Sequence, residues 1–175
     1  MRPLHPVRKI VLFQPEKPGN TGNIIRLCMA MDFSLTIIGP TSFQLDDKSL
    51  KRAGMDYAKG FPIERYPSLE AFLAKHVHYL SYFVTRYSPN IYSDFDLSDS
   101  TADQFYMFGK ESSGLPRELL ERNISRTMRI PMAINARSLN LSDSVSIVAG
   151  EVNRQQGYPG LALQETIKGE EAILH

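Results

Sequence analysis

The sequence predicts an α/β fold, in which a mostly parallel sheet has helices on both faces. Short apolar runs alternate along the chain with segments of helical spacing, and this alternation is typical of such a fold. The 175 residues suit one domain over 1–175, which would bury about two thirds of its unfolded surface. Neither internal repeats nor low-complexity segments interrupt the pattern. We therefore expect one folded core over about 9–160, followed by a tail at 161–175.

Apolar runs of four to six residues are predicted to form the strands. They cover 10–13, 35–38, 80–85, 105–108 and 128–131. A further short strand is expected at 61–63. The segment 88–103 is rich in Ser and Asp, so we expect a loop or a solvated helix that faces water.

Segments with helical periodicity lie between these strands. They cover 21–31, 47–53, 68–75, 116–122 and 142–156. Ser68 suits an N-cap position, and Pro116 is a residue favoured in a first turn. The last helix is the best marked, because four apolar residues from Val145 to Val152 follow the i, i+3, i+4, i+7 spacing of a packed face. Gly157 is predicted to end it.

The charge balance and the cysteine count exclude some classes of function. Twenty basic and 19 acidic residues leave a net charge of +1, which argues against a long surface for duplex nucleic acid but allows a local basic patch. Cys28 has no partner for an internal disulfide or a Cys-rich metal site, so we expect a small core residue and a reducing compartment. The four histidines lack ligand spacing, and no metal is expected.

No apolar run approaches the ~20 residues of a membrane span. The N-terminal segment 1–16 has too short an apolar stretch for a secretory signal. These two features predict a cytoplasmic protein that does not bind membranes.

Two partial phosphate-loop patterns fail on inspection. A phosphate-cradling loop needs a glycine six positions before its lysine and a hydroxyl residue after it, but Lys110 has Gln104 and Glu111 at those positions. The GxGxxG spacing of dinucleotide sites does not occur. These patterns argue against kinase, GTPase and NAD-dehydrogenase functions.

Polar segments follow the first strand and lead into a helix. Asn20 is a candidate cap for this helix, and Arg26 lies opposite its apolar stripe. Near the helix start, the charge of Arg26 opposes the helix dipole. This position suggests a ligand or partner that compensates, although an ordinary solvated arginine explains it equally well.

Two later loops also leave the carboxyl ends of predicted strands, where ligands bind in open α/β sheets. The first contains Gly109 and Gly114, and glycines let backbone approach a ligand. The second runs over 130–140 into a helix start where Ser138 and Asn140 offer neutral hydrogen-bonding groups. We infer that one ligand uses both loops, and two independent turns are the alternative.

Three motifs in these segments resemble those of the SPOUT methyltransferases. In chain order they read NTGNIIRLC, FGKESSGLP, and IPM followed by RSLNLSDSVSIV. The stretch 9–160 resembles the short subgroup that methylates the ribose 2′-oxygen of the wobble nucleotide, cytidine or uridine, in certain leucine tRNAs. The element 46–57 is also similar to that subgroup and supports it over ribosomal-RNA relatives. Asp143 departs from the asparagine that the family often has.

The resemblance implies a deep trefoil knot in the carboxyl half, an exception to the rule that chains do not thread their own loops. It implies that the methyl donor S-adenosylmethionine is bound in the knot, largely by backbone. The residues that match its site are Val84, Thr85, Gly109, Glu111, Gly114, Ile130, Met132, Ser138 and Leu139. It also implies a homodimer, in which the first-motif helix of one subunit meets the donor pocket of the other.

The resemblance assigns the chemistry to Arg26, with Asn20, Ser138 and Asn140 around it. A guanidinium does not lose its proton in ordinary sites, so stabilising the developing alkoxide and holding the adjacent phosphate are better physical roles than general base. Candidate phosphate contacts are Lys48, Lys51, Arg52, Arg86 and Arg137. The alternatives are 2′-O-methylation of another tRNA or ribosomal position, and a knotted protein that binds RNA or S-adenosylmethionine without turnover.

Overall fold

The computed structural model describes residues 6–44, 46, 48 and 59–173. The helix predicted over 47–53 lies outside the described residues, apart from the exposed Lys48. The candidate phosphate contacts Lys51 and Arg52 also lie outside them.

In the described part of the chain, six parallel strands form one sheet. Their order across the sheet is β3-β2-β1-β5-β4-β6. The strands are β1 Arg8–Phe13, β2 Ser34–Ile38, β3 Ile63–Tyr66, β4 Leu80–Val84, β5 Gln104–Phe108 and β6 Thr127–Met128. The predicted α/β class is confirmed. Because the strands are parallel, the loops after β1, β4 and β5 leave the same edge of the sheet.

Four α-helices accompany the sheet in the described ranges. They are α1 Pro18–Met31, α2 Leu69–Lys75, α3 Arg117–Arg122 and α4 Leu141–Gln156. Short 3-10 turns cover Tyr92–Asp94, Ile124–Arg126 and Glu170–Ile173. Since Pro18 occupies the first turn, α1 begins three residues earlier than predicted. The expectation that Asn20 caps α1 is therefore wrong, because Lys17 is at the N-cap position and Asn20 lies inside the first turn.

Both faces of the sheet are covered, as predicted. Alternate side chains of a strand point to opposite faces, so Ile10 and Val11 enter different cores. The core on the side of Ile10 contains apolar residues of α1 and α4, including Cys28, which is buried as expected. The core on the side of Val11 contains Phe72 of α2 and Leu119 of α3.

Two strands differ most from the prediction, whereas the ends of the other four lie within two residues of the predicted ends. The short strand expected at 61–63 is β3, shifted toward the C-terminus. The strand expected at 128–131 is only Thr127–Met128, followed by an isolated bridge between Ile91 and Arg129. Pro131 has no N–H for a ladder, and the chain turns away from the sheet before reaching it.

The segment 88–103 contains one short 3-10 turn and is otherwise irregular. It does not simply face water, because Leu97 is fully buried. The Leu97 N–H donates to Gln155 Oε1 at 2.7 Å, and Gln156 Nε2 donates to the Leu97 carbonyl at 2.9 Å. This segment is thereby attached to the end of α4, and the apolar residues Ile91, Phe95 and Leu97 within a polar stretch were the available signal.

Candidate functional site

A cavity of about 390 Å³ lies at the edge of the sheet where β1, β4 and β5 end. Residues from all three polar segments singled out in the sequence line it. The lining residues are Lys17, Asn20, Val84, Thr85, Arg86, Tyr87, Phe108, Gly109, Lys110, Glu111, Ser112, Ser113, Gly114, Ile130, Met132, Ser138, Leu139, Asn140, Leu141 and Ser144. The geometry thus favours one shared site over two independent turns.

All nine residues expected to bind the donor, Ser138 among them, line this cavity, as do Asn20 and Asn140. Of the basic candidates, Arg86 lines it and the exposed Arg137 does not. Arg26 is not among the described lining residues. It lies six residues beyond Asn20 in α1, which is about 9 Å along the helix axis. Of the four residues predicted to act in catalysis, Asn20, Ser138 and Asn140 thus line the cavity, and Arg26 is not among its described lining residues.

The loop after β5 closes on itself. The N–H of Gly114 donates to the Lys110 carbonyl at 2.9 Å, and the N–H of Lys110 donates to the Gly114 carbonyl at 3.2 Å. A Cβ on Gly109 would lie 2.2 Å from the carbonyl carbon of Gly114. Gly114 has a φ of +71°, which favours glycine. Both glycines are therefore required by the loop itself, whatever ligand it holds.

Two carboxylates join this loop to the loop after β1. Glu111 accepts hydrogen bonds from the N–H groups of Glu16 and Lys17, at 2.8 and 3.2 Å. In return, the Glu16 carboxylate accepts from the hydroxyl and N–H of Ser112, at 2.7 and 3.0 Å. The Ser112 hydroxyl is the main cause that lowers the pKa of Glu16. The sequence analysis missed Glu16 and Ser112, although a carboxylate at the end of a strand was a signal.

An asparagine pair connects α1 to α4 at the cavity wall. Asn140 Nδ2 donates to Oδ1 of the buried Asn20 at 3.0 Å. Asn140 Oδ1 accepts from the Ser142 N–H at 2.8 Å and from its hydroxyl at 2.7 Å. Asn140 therefore caps α4 and also fixes the entry of α4 against the first turn of α1.

Positive charge lies around the cavity. Lys17, Lys110 and Arg86 belong to its lining, and the Arg86 guanidinium lies 5.6 Å from the centroid of the Tyr87 ring. Glu111 is the acidic residue in the lining, and its carboxylate already accepts backbone N–H groups. This arrangement suits a partner with phosphate groups.

The described residues do not favour a thiol nucleophile or a metal site. Burial raises the pKa of the Cys28 thiol to about 12, so the nucleophilic thiolate is disfavoured. Within the described ranges, no group of three His, Cys, Asp or Glu side chains is placed to hold a metal ion. None of the described helices is long and apolar enough to span a bilayer.

The described fold places a glycine-containing loop beside a cavity at the carboxyl edge of a parallel sheet, where ligands bind in open α/β proteins. The chain matches the model of the SpoU rRNA methylase family over residues 8–150. It belongs to this family, which is a family of methyltransferases.

Relatives within the family are similar over most of their length. The tRNA (cytidine(34)-2′-O)-methyltransferase of Escherichia coli K12 is 43% identical over 158 residues, which are 89% of this chain and 98% of that protein. A solved structure described as giving insights into the 2-OH methylation of C/U34 on tRNA has a TM-score of 0.77 and 34% identity. It covers 86% of this chain and 97% of its own.

A second similar solved structure contains a ligand. The SpoU methyltransferase AviRb from Streptomyces viridochromogenes, in complex with the cofactor AdoMet, has a TM-score of 0.69 and 26% identity. The match covers 87% of this chain and 61% of that one.

Proposed function

We propose that this protein transfers a methyl group from S-adenosylmethionine to the ribose 2′-oxygen of nucleotide 34, cytidine or uridine, in leucine tRNAs. The observation that carries the proposal is the single cavity to which all three sequence motifs contribute. The names of the Escherichia coli relative and of the C/U34 methylation structure support the tRNA position.

The donor would bind along the loops at 84–87, 109–114 and 130–140. The cavity volume of about 390 Å³ falls within the ~300–1,000 Å³ typical of small-molecule sites. Val84, Ile130, Met132 and Leu139 offer apolar surface to an adenine ring, while the polar loop atoms suit the ribose and amino-acid parts. When bound, S-adenosylmethionine supplies an electrophilic methyl group on its sulfonium. Holding the ribose oxygen in line with that group is the task of the surrounding residues.

For Arg26 we propose a role in the cavity of the other subunit. In its own subunit it is absent from the described lining of the cavity, and it lies on an exposed part of α1. We propose a homodimer in which α1 of one subunit brings Arg26 to the cavity of the other. There its fixed charge stabilises the alkoxide that develops as the hydroxyl loses its proton, and holds the adjacent phosphate. Asn20 and Asn140 position the nucleotide from the cavity wall.

We also propose that the protein is located in the cytoplasm and that its carboxyl half forms the deep trefoil knot of the family. The knot's support is the path after β6, where residues 129–140 return from the sheet edge and Asn140 contacts the first turn of α1. An experimental electron-density map of residues 108–141 would test the threading.

The decisive experiment uses purified protein, tRNA and S-adenosylmethionine with a labelled methyl group, followed by mass spectrometry of the digested RNA. We expect label on the 2′-oxygen of nucleotide 34 in leucine tRNA and none in Arg26→Ala reactions. Label at another nucleotide, or turnover only with ribosomal RNA, would assign the enzyme to a different substrate. Donor binding without transfer to either RNA would make it a binding protein.

Ribosomal RNA is the second candidate substrate, because the family to which the chain belongs is named for rRNA methylation. Ribosomal RNA from a strain that lacks this protein therefore forms a parallel arm of the same experiment.

A further inference from the structure

A second cavity, of about 440 Å³, adjoins the first. It lies between α3 and the carboxyl ends of β4 and β6. Its lining residues are Thr85, Tyr87, Ser88, Ser113, Leu115, Arg117, Leu120, Glu121, Ile124 and Thr127. Thr85, Tyr87 and Ser113 line both cavities, so these residues form a shared wall. A ligand that extends beyond this wall from the first cavity enters the second.

Tyr87 is the prominent residue of the shared wall. Its side chain is 76% exposed, which is unusual for a large aromatic residue beside a ligand cavity. The Arg86 guanidinium lies 5.6 Å from its ring centroid. Exposed aromatic rings with neighbouring arginines are the platforms on which proteins stack unpaired nucleobases.

The electrostatics around the second cavity favour an anionic chain. The acidic residue in the lining, Glu121, forms an ion pair with Arg117, whose Nε lies 2.6 Å from its carboxylate. The segment 117–129 carries four arginines against two glutamates, and the Arg129 guanidinium donates to the carbonyl of Arg86, the neighbour of Tyr87. Positive charge around an apolar hollow suits a base that enters the hollow while its phosphates remain at the rim.

The lining also matches the shape of a base. Leu115, Leu120 and Ile124 offer apolar surface to its faces, and the Thr85 and Ser113 hydroxyls can meet its polar edge.

We propose that the second cavity is a base-binding subsite that holds the nucleotide next to the one being methylated, with Tyr87 as its stacking platform. This inference rests on the proposed function and adds to it how the RNA is recognised. Reading a neighbouring base while the ribose of nucleotide 34 faces the first cavity selects the sequence around the methylated position.

The test measures the affinity of the protein for an anticodon stem-loop RNA by fluorescence anisotropy. Two matched RNAs carry an abasic residue immediately 5′ or 3′ of nucleotide 34. We expect one of these abasic RNAs to bind wild-type protein about 5- to 150-fold more weakly, as for the loss of one stacked base. Tyr87→Ala protein should bind the complete RNA with a similar loss and show no further loss with that abasic RNA. Tyr87→Phe should retain the wild-type pattern, because the ring remains.

Tyr158→Ala is the matched control, because Tyr158 is an exposed tyrosine outside both linings. It should bind all three RNAs as the wild type does. The proposal is overturned if neither abasic RNA weakens binding to wild-type protein. It is also overturned if Tyr87→Ala leaves RNA affinity intact or changes the oligomeric state by light scattering, which would indicate a protein interface. Failure of the proposed function is read separately, as absence of methyl transfer by wild-type protein.

Discussion

At the scale of single residues, Gly109 and Gly114 occupy one loop for different reasons. Gly114 has a left-handed backbone, while a side chain on Gly109 would collide with backbone atoms of Gly114 and Leu115. Backbone atoms cannot turn aside as a flexible side chain does, so the loop must open if Gly109 is replaced. The donor-side wall of the first cavity depends on that closure.

Gly109→Ala should therefore weaken both the fold and donor binding. We expect a loss of about 1–3 kcal/mol in the free energy of unfolding, typical of overpacking. Calorimetric titration with S-adenosylmethionine should show at least a tenfold weaker affinity. Urea unfolding measures the first effect.

Gly150→Ala is the control for this substitution. Gly150 lies in the middle of α4, and a Cβ there meets nothing within 4 Å. This change should stabilise the protein by about 0.5–1 kcal/mol, because alanine favours helix, and should leave donor affinity unchanged. Equal behaviour of the two variants would contradict the importance of the loop closure.

At the scale of elements, the entry of α4 combines a structural and a functional task in Asn140. The side-chain oxygen Oδ1 of Asn140 caps the helix, and its side-chain nitrogen Nδ2 donates to Asn20 in the first turn of α1. A carboxylate at this position preserves the cap but cannot donate to Asn20.

Asn140→Ala and Asn140→Asp should accordingly separate the two tasks. We expect Asn140→Ala to lose about 0.5–2 kcal/mol of stability and also most of the methyl-transfer activity. Asn140→Asp should unfold near the wild-type temperature and still transfer methyl groups at least tenfold more slowly. Thermal denaturation and single-turnover transfer are the measurements. Full activity of Asn140→Asp would show that the contact with Asn20 has no role in the reaction.

The end of α2 carries a buried histidine. His76 is stacked on Phe72 with ring centroids 4.1 Å apart, and its Nδ1 lies 2.8 Å from the Phe72 carbonyl oxygen. A carbonyl only accepts, so the neutral ring carries its proton on Nδ1. Desolvation is the main cause that lowers the pKa of His76 below its ordinary value of 6.5. The unfolded chain thus takes up a proton more readily than the folded one.

The free energy of unfolding should therefore fall as the pH drops below about 6.5, where an unfolded histidine becomes charged. Above that pH the contribution of His76 is fully present. Urea titrations between pH 7.5 and 5.5 measure the dependence. His76→Gln should flatten it, and the exposed neighbour His78 provides the control, since His78→Gln should leave the slope as it is. An unchanged slope in His76→Gln would contradict this assignment.

At the scale of the whole molecule, the proposed dimer determines whether the site is complete. In the proposed dimer, the cavity of one chain and Arg26 of the other would together form the active site. Leu139→Trp is suited to block the cavity, because Leu139 lines it and is 38% exposed, away from the packed core.

Mixing subunits should reveal the shared site. Arg26→Ala and Leu139→Trp proteins are each expected to be nearly inactive. Refolded together at equal amounts, they should recover about one quarter of wild-type turnover, since half of the dimers are mixed and each has one intact site. Methyl transfer after mixing and after separate refolding provides the comparison. Activity no higher than the sum of the parents would place Arg26 and the cavity it serves in one subunit.

The sequence located most of the elements and missed features that depend on contacts distant in the chain. The apolar runs and the stripe of α4 are local periodicities, so their existence was predictable, whereas β6 ended early because the chain turns toward the cavity at Arg129. The glycine loop and the asparagine at the start of α4 were also visible as local patterns. The hydrogen bonds between Glu16 and Ser112 could not be predicted from local patterns, because these residues are 96 positions apart.

The amino-acid order alone thus determined the α/β class, the motifs of a methyltransferase and many of the residues that line one cavity. Tertiary structure decided how these segments meet, because β1 and β5 are hydrogen-bonded neighbours although about 90 residues separate them along the chain. It also decided that Arg26 is absent from the described lining of its own cavity and that Tyr87 stands between two cavities. Periodicity specifies which side of an element is buried, but only the packing of strands determines which loops become neighbours.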